Sequence, residues 1–513
     1  MDSRRLRLTL WGVIAILGFT GAKAEVRLPN LFQNHMVLQQ ETTCPVWGWA
    51  EPGEKIQIQV AGQTKTVQTG EDSKWRVFID PMEAGGPYTV TVKGRASELV
   101  LEDVLVGEVW LCSGQSNMAM TVSGAMNSEE EAAAATLPAI RMATIARKAA
   151  GLPQENCDLN GWMVCSPQTV PQFSATAYYF GRHLHQKLDV PVGLINASWG
   201  GTRIETWMSR ASLMELESGR AELDKMKEEA VQYDPEKAEK AFQKRKREWK
   251  AEGSPPKKRP PLPAPPDARK NAAAAQYHAM IAPLVPYAVR GAIWYQGERN
   301  ANLMKDAYEY RKELPQLIEG WRKAWDRGDF PFLFVQLPNF GGKDGNILAV
   351  NRESMLLSLA TENTGMAVTI DIGDTKDIHP KNKQDVGKRL GLLARSLAYG
   401  ENLVSSGPLY ESMEIMGGTV AIRFDHGGSK LTGQEGNLEG FTIAGKDKVF
   451  LEATAKIEGD RVIVRNDRVT NPKAVRYAWG GDPPWSLTNE EGLPASPFRT
   501  DNWEVMPSRA KAE

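Results

Sequence analysis

Ser116 stands in Gly114-Gln115-Ser116-Asn117-Met118, directly after the apolar run Val109-Trp110-Leu111-Cys112. A serine at a strand-to-helix elbow beside a glycine can project its hydroxyl from the sheet edge, while its own N–H points at the oxygen of a bound carbonyl. That geometry suits acyl transfer. Taken alone the motif is weak, because serines at strand ends are usually turn formers or helix caps. A serine nucleophile also needs a base, normally a histidine held by an acceptor. Of six histidines, His379 has such surroundings: Asp371, Asp374 and Asp377 put three carboxylates within eight residues of its imidazole. His35 falls among short strands, His183 and His185 on an exposed helix, His278 on a helix before a strand, and His426 in a Gly-rich hairpin. Each of these reads as surface or satisfied core.

Two further strand ends supply hydrogen-bond donors. Ser198-Trp199-Gly200-Gly201-Thr202 follows Val192 to Ile195, and the paired glycines Gly200 and Gly201 let backbone N–H groups approach a ligand closely. Tyr295-Gln296-Gly297-Glu298 follows Ala292 to Trp294, where the Gln296 amide could donate to an oxyanion. The bland alternatives are a tight helix entry and a loop-fixing amide. What favours chemistry is convergence, since four separate strand ends each offer one part of an acyl-transfer site. Cys/His spacing of the zinc type is lacking, so neither a metal nor a cofactor is expected.

These parts need a scaffold that brings strand ends together. Continuous apolar runs recur at Val192 to Ile195, Ala292 to Tyr295, Phe332 to Val335 and Met366 to Ile370, with helical spacing between them at Ala175 to Leu188 and Tyr308 to Trp325. Buried strands alternating with helices predict a parallel α/β sheet, with its ligand site at the carboxyl ends of the strands. This catalytic region is expected over residues 106–405. Before it, residues 25–105 alternate in short strands, as in Lys55 to Val60 and Trp75 to Ile79, and predict a β-sandwich. After it, residues 406–513 return to short strands, from Thr419 to Phe424 through Ala474 to Trp479, packed either with the sandwich or alone. An insertion at about 211–270 holds Glu/Lys/Ala-rich helices split at Asp234-Pro235, then seven prolines between Pro255 and Pro266. It reads as a solvated hairpin or a lid.

The chain has 513 residues with a net charge of -1, which gives no whole-chain field for nucleic acid or anionic lipid. Its 15 Trp suit sugar platforms as well as cores. Residues 1–24 read as a signal peptide, with Arg4, Arg5 and Arg7, an apolar stretch Leu8 to Gly21, and Ala22-Lys23-Ala24 as the cleavage site. A secreted or periplasmic product without stable membrane insertion is therefore expected. Export would permit a disulfide, and Cys157 and Cys165 around Asn160-Gly161 either close a short loop or remain thiols; Cys44 and Cys112 read as buried thiols.

Taken together, the blocks around Ser116, Gly200, Gln296 and Asp377-Ile378-His379-Pro380 resemble the sialate O-acetylesterases of bacteria and animals, a branch of the SGNH-hydrolase superfamily. Leu31 to Gln40, Pro45 to Ala50 and Gly492 to Asp501 match as well, so the resemblance spans nearly the whole mature chain. It implies a flavodoxin-like three-layer α/β domain flanked by β-sandwich-type domains. It also implies metal-free hydrolysis of acetyl esters on an O-acetylated carbohydrate. Carried over by position, Ser116 is the nucleophile and His379 the base. Ser116 N–H, Gly200, Gly201 and Gln296 form the oxyanion hole, and Gln115, Asn117, Trp199 and Glu298 bind substrate. One position departs: the acid usually stands three residues before the histidine, where this chain has Lys376. Asp377 is the first choice for the orienting acid and Asp374 the second, while a backbone carbonyl could replace either. Other readings are an acetylxylan-type or general short-chain esterase and, from another class, an inert carbohydrate-binding protein.

Overall fold

The computed structural model describes residues 25–251, 260–433 and 437–508. The signal-type opening at 1–24 and the start of the proline connector, with Pro255 and Pro256, lie outside the described residues. Seven strands form the central sheet: β1 (Glu98–Gly114), β2 (Leu137–Ile145), β3 (Leu159–Cys165), β4 (Val192–Ser198), β5 (Gly291–Tyr295), β6 (Phe332–Val335) and β7 (Thr364–Ala367). Their order across the sheet is β7-β6-β5-β1-β4-β2-β3. All neighbours are parallel except β2 and β3, an antiparallel pair at one edge. From β1 the chain crosses to β2 and the edge strand β3, returns to β4 beside β1, and then runs outward through β5, β6 and β7 on the other side. That makes the carboxyl end of β1, between β4 and β5, a topological switch point where such sheets open a crevice.

Helices cover both faces of this sheet. On one face Trp110 of β1 packs edge-on against Phe180 of α1 (Ala175–Leu188) at 5.0 Å. Trp294 of β5 pairs with Ser113, three residues from Trp110, and so points to the opposite face. There it meets Trp321 of α4 (Met304–Trp325) at 5.9 Å. Helices α5 (Gly345–Leu357) and α6 (Lys383–Leu397) complete the layers. The sequence expectation for α1 matches in both bounds, whereas β2 and β3 were not expected. Nor is α1 an exposed helix: it packs on α6, and the His183 ring lies so near Gly391 that a Cβ there would come within 2.4 Å of it. Burial pushes the His183 imidazole down to about 4.

Strand β1 is 17 residues long and serves two layers. Its first half alternates between exposed and half-buried and pairs antiparallel with Gly85–Lys93, in a sheet with Lys55–Val60 and Gln63–Gln68. Its second half is buried throughout, as a strand covered on both faces must be. The boundary expected near residue 105 thus falls inside one strand. The remaining N-terminal pair, Cys44–Trp49 with Lys74–Ile79, faces the other sheet with Val46, Trp75, Val77 and Ile79 buried.

The C-terminal strands form two four-stranded sheets, bridged by Phe498 against Tyr410 and Tyr477, and a short pair of Leu431–Thr432 with Thr488–Asn489. They dock on the catalytic region. Arg352 of α5, buried, donates to Leu337 O at 2.8 Å and Pro338 O at 2.6 Å on one side, and to Gly481 O at 2.9 Å on the other. Glu353 pairs with Arg499 at 2.5 Å.

In the insertion, α2 (Glu217–Val231) and α3 (Pro235–Ala251) are separated as expected, with Asp234 Oδ1 accepting from Lys237 N at 3.0 Å. Leu213 and Leu223 join the main core, while Phe242, the one buried residue of α3, lies apart from it. All four cysteines are buried free thiols, so Cys157 and Cys165 do not form the bridge that their spacing allowed. Among the described residues no helix is long and apolar enough to cross a membrane.

Candidate active site

Ser116 opens a single helical turn, Ser116–Ala119, at the switch point. The elbow depends on Gly114, which has a φ of +137°; a Cβ there would sit 2.1 Å from Tyr295 O. Gly200 approaches from the other side, where a Cβ would lie 3.1 Å from that of Ser116. Gly200 therefore brings the backbone after β4 against the serine.

His379 reaches Ser116 from the loop after β7, with Nε2 2.9 Å from Ser116 Oγ. The three carboxylates of that loop divide the labour. Asp371 binds Arg389 of α6 through both oxygens, at 2.6 and 2.5 Å, and anchors the start of the loop. Asp374 Oδ1 accepts the N–H groups of Lys376 and Asp377, at 2.7 and 3.1 Å, and so shapes the turn; these bonds hold its carboxyl below the usual range. Asp377 Oδ1 faces the histidine, 3.3 Å from Nδ1 and 2.9 Å from the backbone nitrogen. Lys376, which the family pattern would replace by an acid, joins these contacts through its backbone N–H to Asp374 and brings no carboxylate to the imidazole. The far side of the loop is tied to the C-terminal region, with Thr375 Oγ1 donating to Asp482 at 2.5 Å. Both partners at the imidazole are wet, His379 at 40% and Asp377 at 54% side-chain exposure.

Gln296 is a correction. It is fully buried, and its amide donates to Thr202 O at 3.0 Å and Asn300 Oδ1 at 2.9 Å, while its oxygen accepts from Tyr310 at 2.8 Å. Both amide hydrogens are committed, one across to the β4 loop and one within the β5 loop, which leaves none for an oxyanion. Asn117 and Glu298 are buried as well, expected at the substrate but turned inward: Asn117 Nδ2 donates to Glu298 Oε1 and to Ile378 O. Gln115 is buried and receives Arg299 N at 3.2 Å, with its Nε2 3.5 Å from Ser116 Oγ. Trp199 remains half-buried beside Gly200, with Lys270 Nζ 5.4 Å from its ring. A residue that sequence reasoning missed is Lys383, fully buried under the loop and bonded to Asn117 Oδ1 at 2.7 Å. In sequence it is one charged residue at a helix start, with no signal to separate it from a solvated lysine.

A doubly covered parallel sheet with Ser116 and His379 meeting at its switch point is the fold of the SGNH-type carbohydrate esterases. With a carbohydrate acetylesterase from Xanthomonas citri the chain shares 38% identity and a TM-score of 0.80, covering 93% of this chain and 100% of that one. Residues 106–233 and 268–394 match the family described as carbohydrate esterase, sialic acid-specific acetylesterase, and the chain belongs to that family. A sialate O-acetylesterase of Rattus norvegicus is 33% identical over 437 residues, 77% of this chain and 78% of the relative. Its Homo sapiens counterpart is 32% identical over 430 residues, 76% and 74%. The internal stretch between the two matched segments, 234–267, corresponds to α3 and the proline connector.

Proposed function

We propose that this carbohydrate esterase is an exported O-acetylesterase that works through a serine acyl-enzyme. The observation that carries the reading is the 2.9 Å contact between Ser116 Oγ and His379 Nε2 at the sheet's switch point. Ser116 Oγ attacks the acetyl carbonyl carbon as its proton passes to His379 Nε2. The oxyanion lies against the N–H groups of Ser116 and the Gly200-Gly201 turn. Collapse breaks the bond to the sugar oxygen, which leaves with the proton from Nε2. Water then attacks the acetyl-enzyme with His379 again as base, releasing acetate and restoring Ser116. Asp377 stabilises the imidazolium that forms in both halves.

An acetyl group is small, and a half-exposed dyad can accept one that projects from a larger sugar. Export is supported by the basic, apolar and small-residue order of residues 1–24. The relatives' names point to O-acetylated sialic acid as the first substrate to try. Acetate release from O-acetylated sialic acids, acetylxylan and acetylated pectin should single out the sugar class. It should vanish with Ser116→Ala; activity that survives this substitution would remove the proposed mechanism.

A further inference from the structure

The carbonyls on both sides of His379 are held by buried donors that begin next to the nucleophile. Asn117 Nδ2 donates to Ile378 O at 3.1 Å, and its Oδ1 accepts from Lys383 Nζ at 2.7 Å. Lys383 gives a second hydrogen to Pro380 O at 2.7 Å and stands 5.2 Å from the centre of the Tyr295 ring. The three ammonium hydrogens thus have two oxygens and an aromatic face to meet. A closed circuit results: Ser116, the adjoining Asn117, Lys383, the Ile378-His379-Pro380 backbone, and back through Nε2 to Ser116 Oγ.

Packing alone does not explain a lysine here. It is the first residue of α6, where the helix dipole disfavours a cation, and full burial adds a desolvation cost. A methionine would fill similar volume with neither penalty. What only a donor can do is grip two oxygens, one on the segment that carries Ser116 and one on the segment that carries His379. Asp377 cannot fix the ring by itself, since it is more exposed than buried and lies 3.3 Å from Nδ1.

We propose that Lys383, acting with Asn117, is a positioning residue that sets the His379 imidazole against Ser116 from the backbone side. This rests on the Ser116–His379 reading above. The test is a set of full-length variants assayed on p-nitrophenyl acetate, with thermal melts alongside. Lys383→Met should lower kcat roughly 100-fold, the scale of an ångström's misplacement, while KM stays within about twofold. Added to His379→Ala, the same substitution should change the residual rate by less than about twofold, because nothing remains to position. A purely structural lysine would lower both backgrounds alike, and that result overturns the proposal, as does a folded Lys383→Met with wild-type kcat. If Lys383→Met fails to fold, Asn117→Asp, which keeps the oxygen facing Lys383 but removes the donor shared by Ile378 O and Glu298 Oε1, goes through the same cycle under the same criteria. Full activity in Ser116→Ala or His379→Ala would instead overturn the underlying reading, so the two failures are distinguishable.

Discussion

Asp377 Oδ1 accepts the backbone N–H of His379 at 2.9 Å and lies 3.3 Å from the ring nitrogen of the same residue. One oxygen thus shapes the turn and faces the imidazole. In water-exposed surroundings a charge pair at about 4 Å is worth about 1 kcal/mol, far less than in a buried triad. Asp377→Asn keeps an acceptor for the backbone and removes only the charge. The expected loss in kcat/KM is therefore about tenfold, not the order of 10⁴ known from a buried triad. Asp374→Asn still caps the same two N–H groups and should stay within about twofold of wild type. Steady-state kinetics of both variants check this, and a larger loss for Asp374→Asn would reverse the assignment.

The sheet was legible where a parallel strand is buried on both faces and leaves a continuous apolar run, as in Val109 to Cys112 and Ala292 to Tyr295. Strands β2 and β3 went unread, since the proline and arginine of Leu137–Ile145 and the Gly161 kink break any such run. Ser116 and His379 were readable from local chemistry at strand ends. Gln296 was misread because an amide at a strand end looks the same whether it faces a ligand or a neighbouring loop. Lys383 was invisible for a related reason: burial of a single charged residue is decided by tertiary contacts, here Asn117 and the Tyr295 ring, from other parts of the chain.

Gln296 gives a direct check on that correction. Removing its side chain deletes three buried hydrogen bonds, at about 1 kcal/mol each with more for partners left unpaired. Gln296→Ala should therefore lose roughly 2–4 kcal/mol in urea unfolding while the folded fraction keeps kcat within about fivefold. An oxyanion donor would behave the other way, losing 10²-fold or more in kcat at about unchanged stability.

The insertion divides at the end of α2. Glu222 pairs with Arg203 at 2.9 Å and Leu223 is in the core, so α2 belongs to the folded body. Arg269 then reaches back to Glu229 at 2.9 Å and lies 6.0 Å from the Tyr233 ring, which brings the two ends of the remaining segment together. Replacing residues 234–262 by a short Gly/Ser linker should leave the melting temperature within about 2 °C, whereas extending the cut through α2 should lower it by several times that. Differential scanning calorimetry of the two deletions decides. A large loss from the smaller cut would mean that Phe242 seats on the body after all.

Lys383 also predicts how stability depends on pH. Burial, opposed by Glu298 and Asp377, pushes its ammonium down to about 7 from 10.5. Below pH 7 both folded and unfolded chains hold the proton, and the full cost of burying the charge is present. Between pH 7 and 10.5 the unfolded chain holds a proton that the folded chain lacks, so this group makes stability rise with pH, by about 1.4 kcal/mol per pH unit at most. Glu298, pushed up by the same burial, acts in the opposite direction, making stability fall as pH rises above 4.5 toward its folded value. Lys383→Met removes the first effect. The stability difference, wild type minus variant, should therefore grow from pH 7 to pH 10 in urea titrations, with the variant faring best relative to wild type below pH 7. Parallel curves would mean that Lys383 keeps its ordinary affinity for the proton, and that the folded protein opens enough to solvate it.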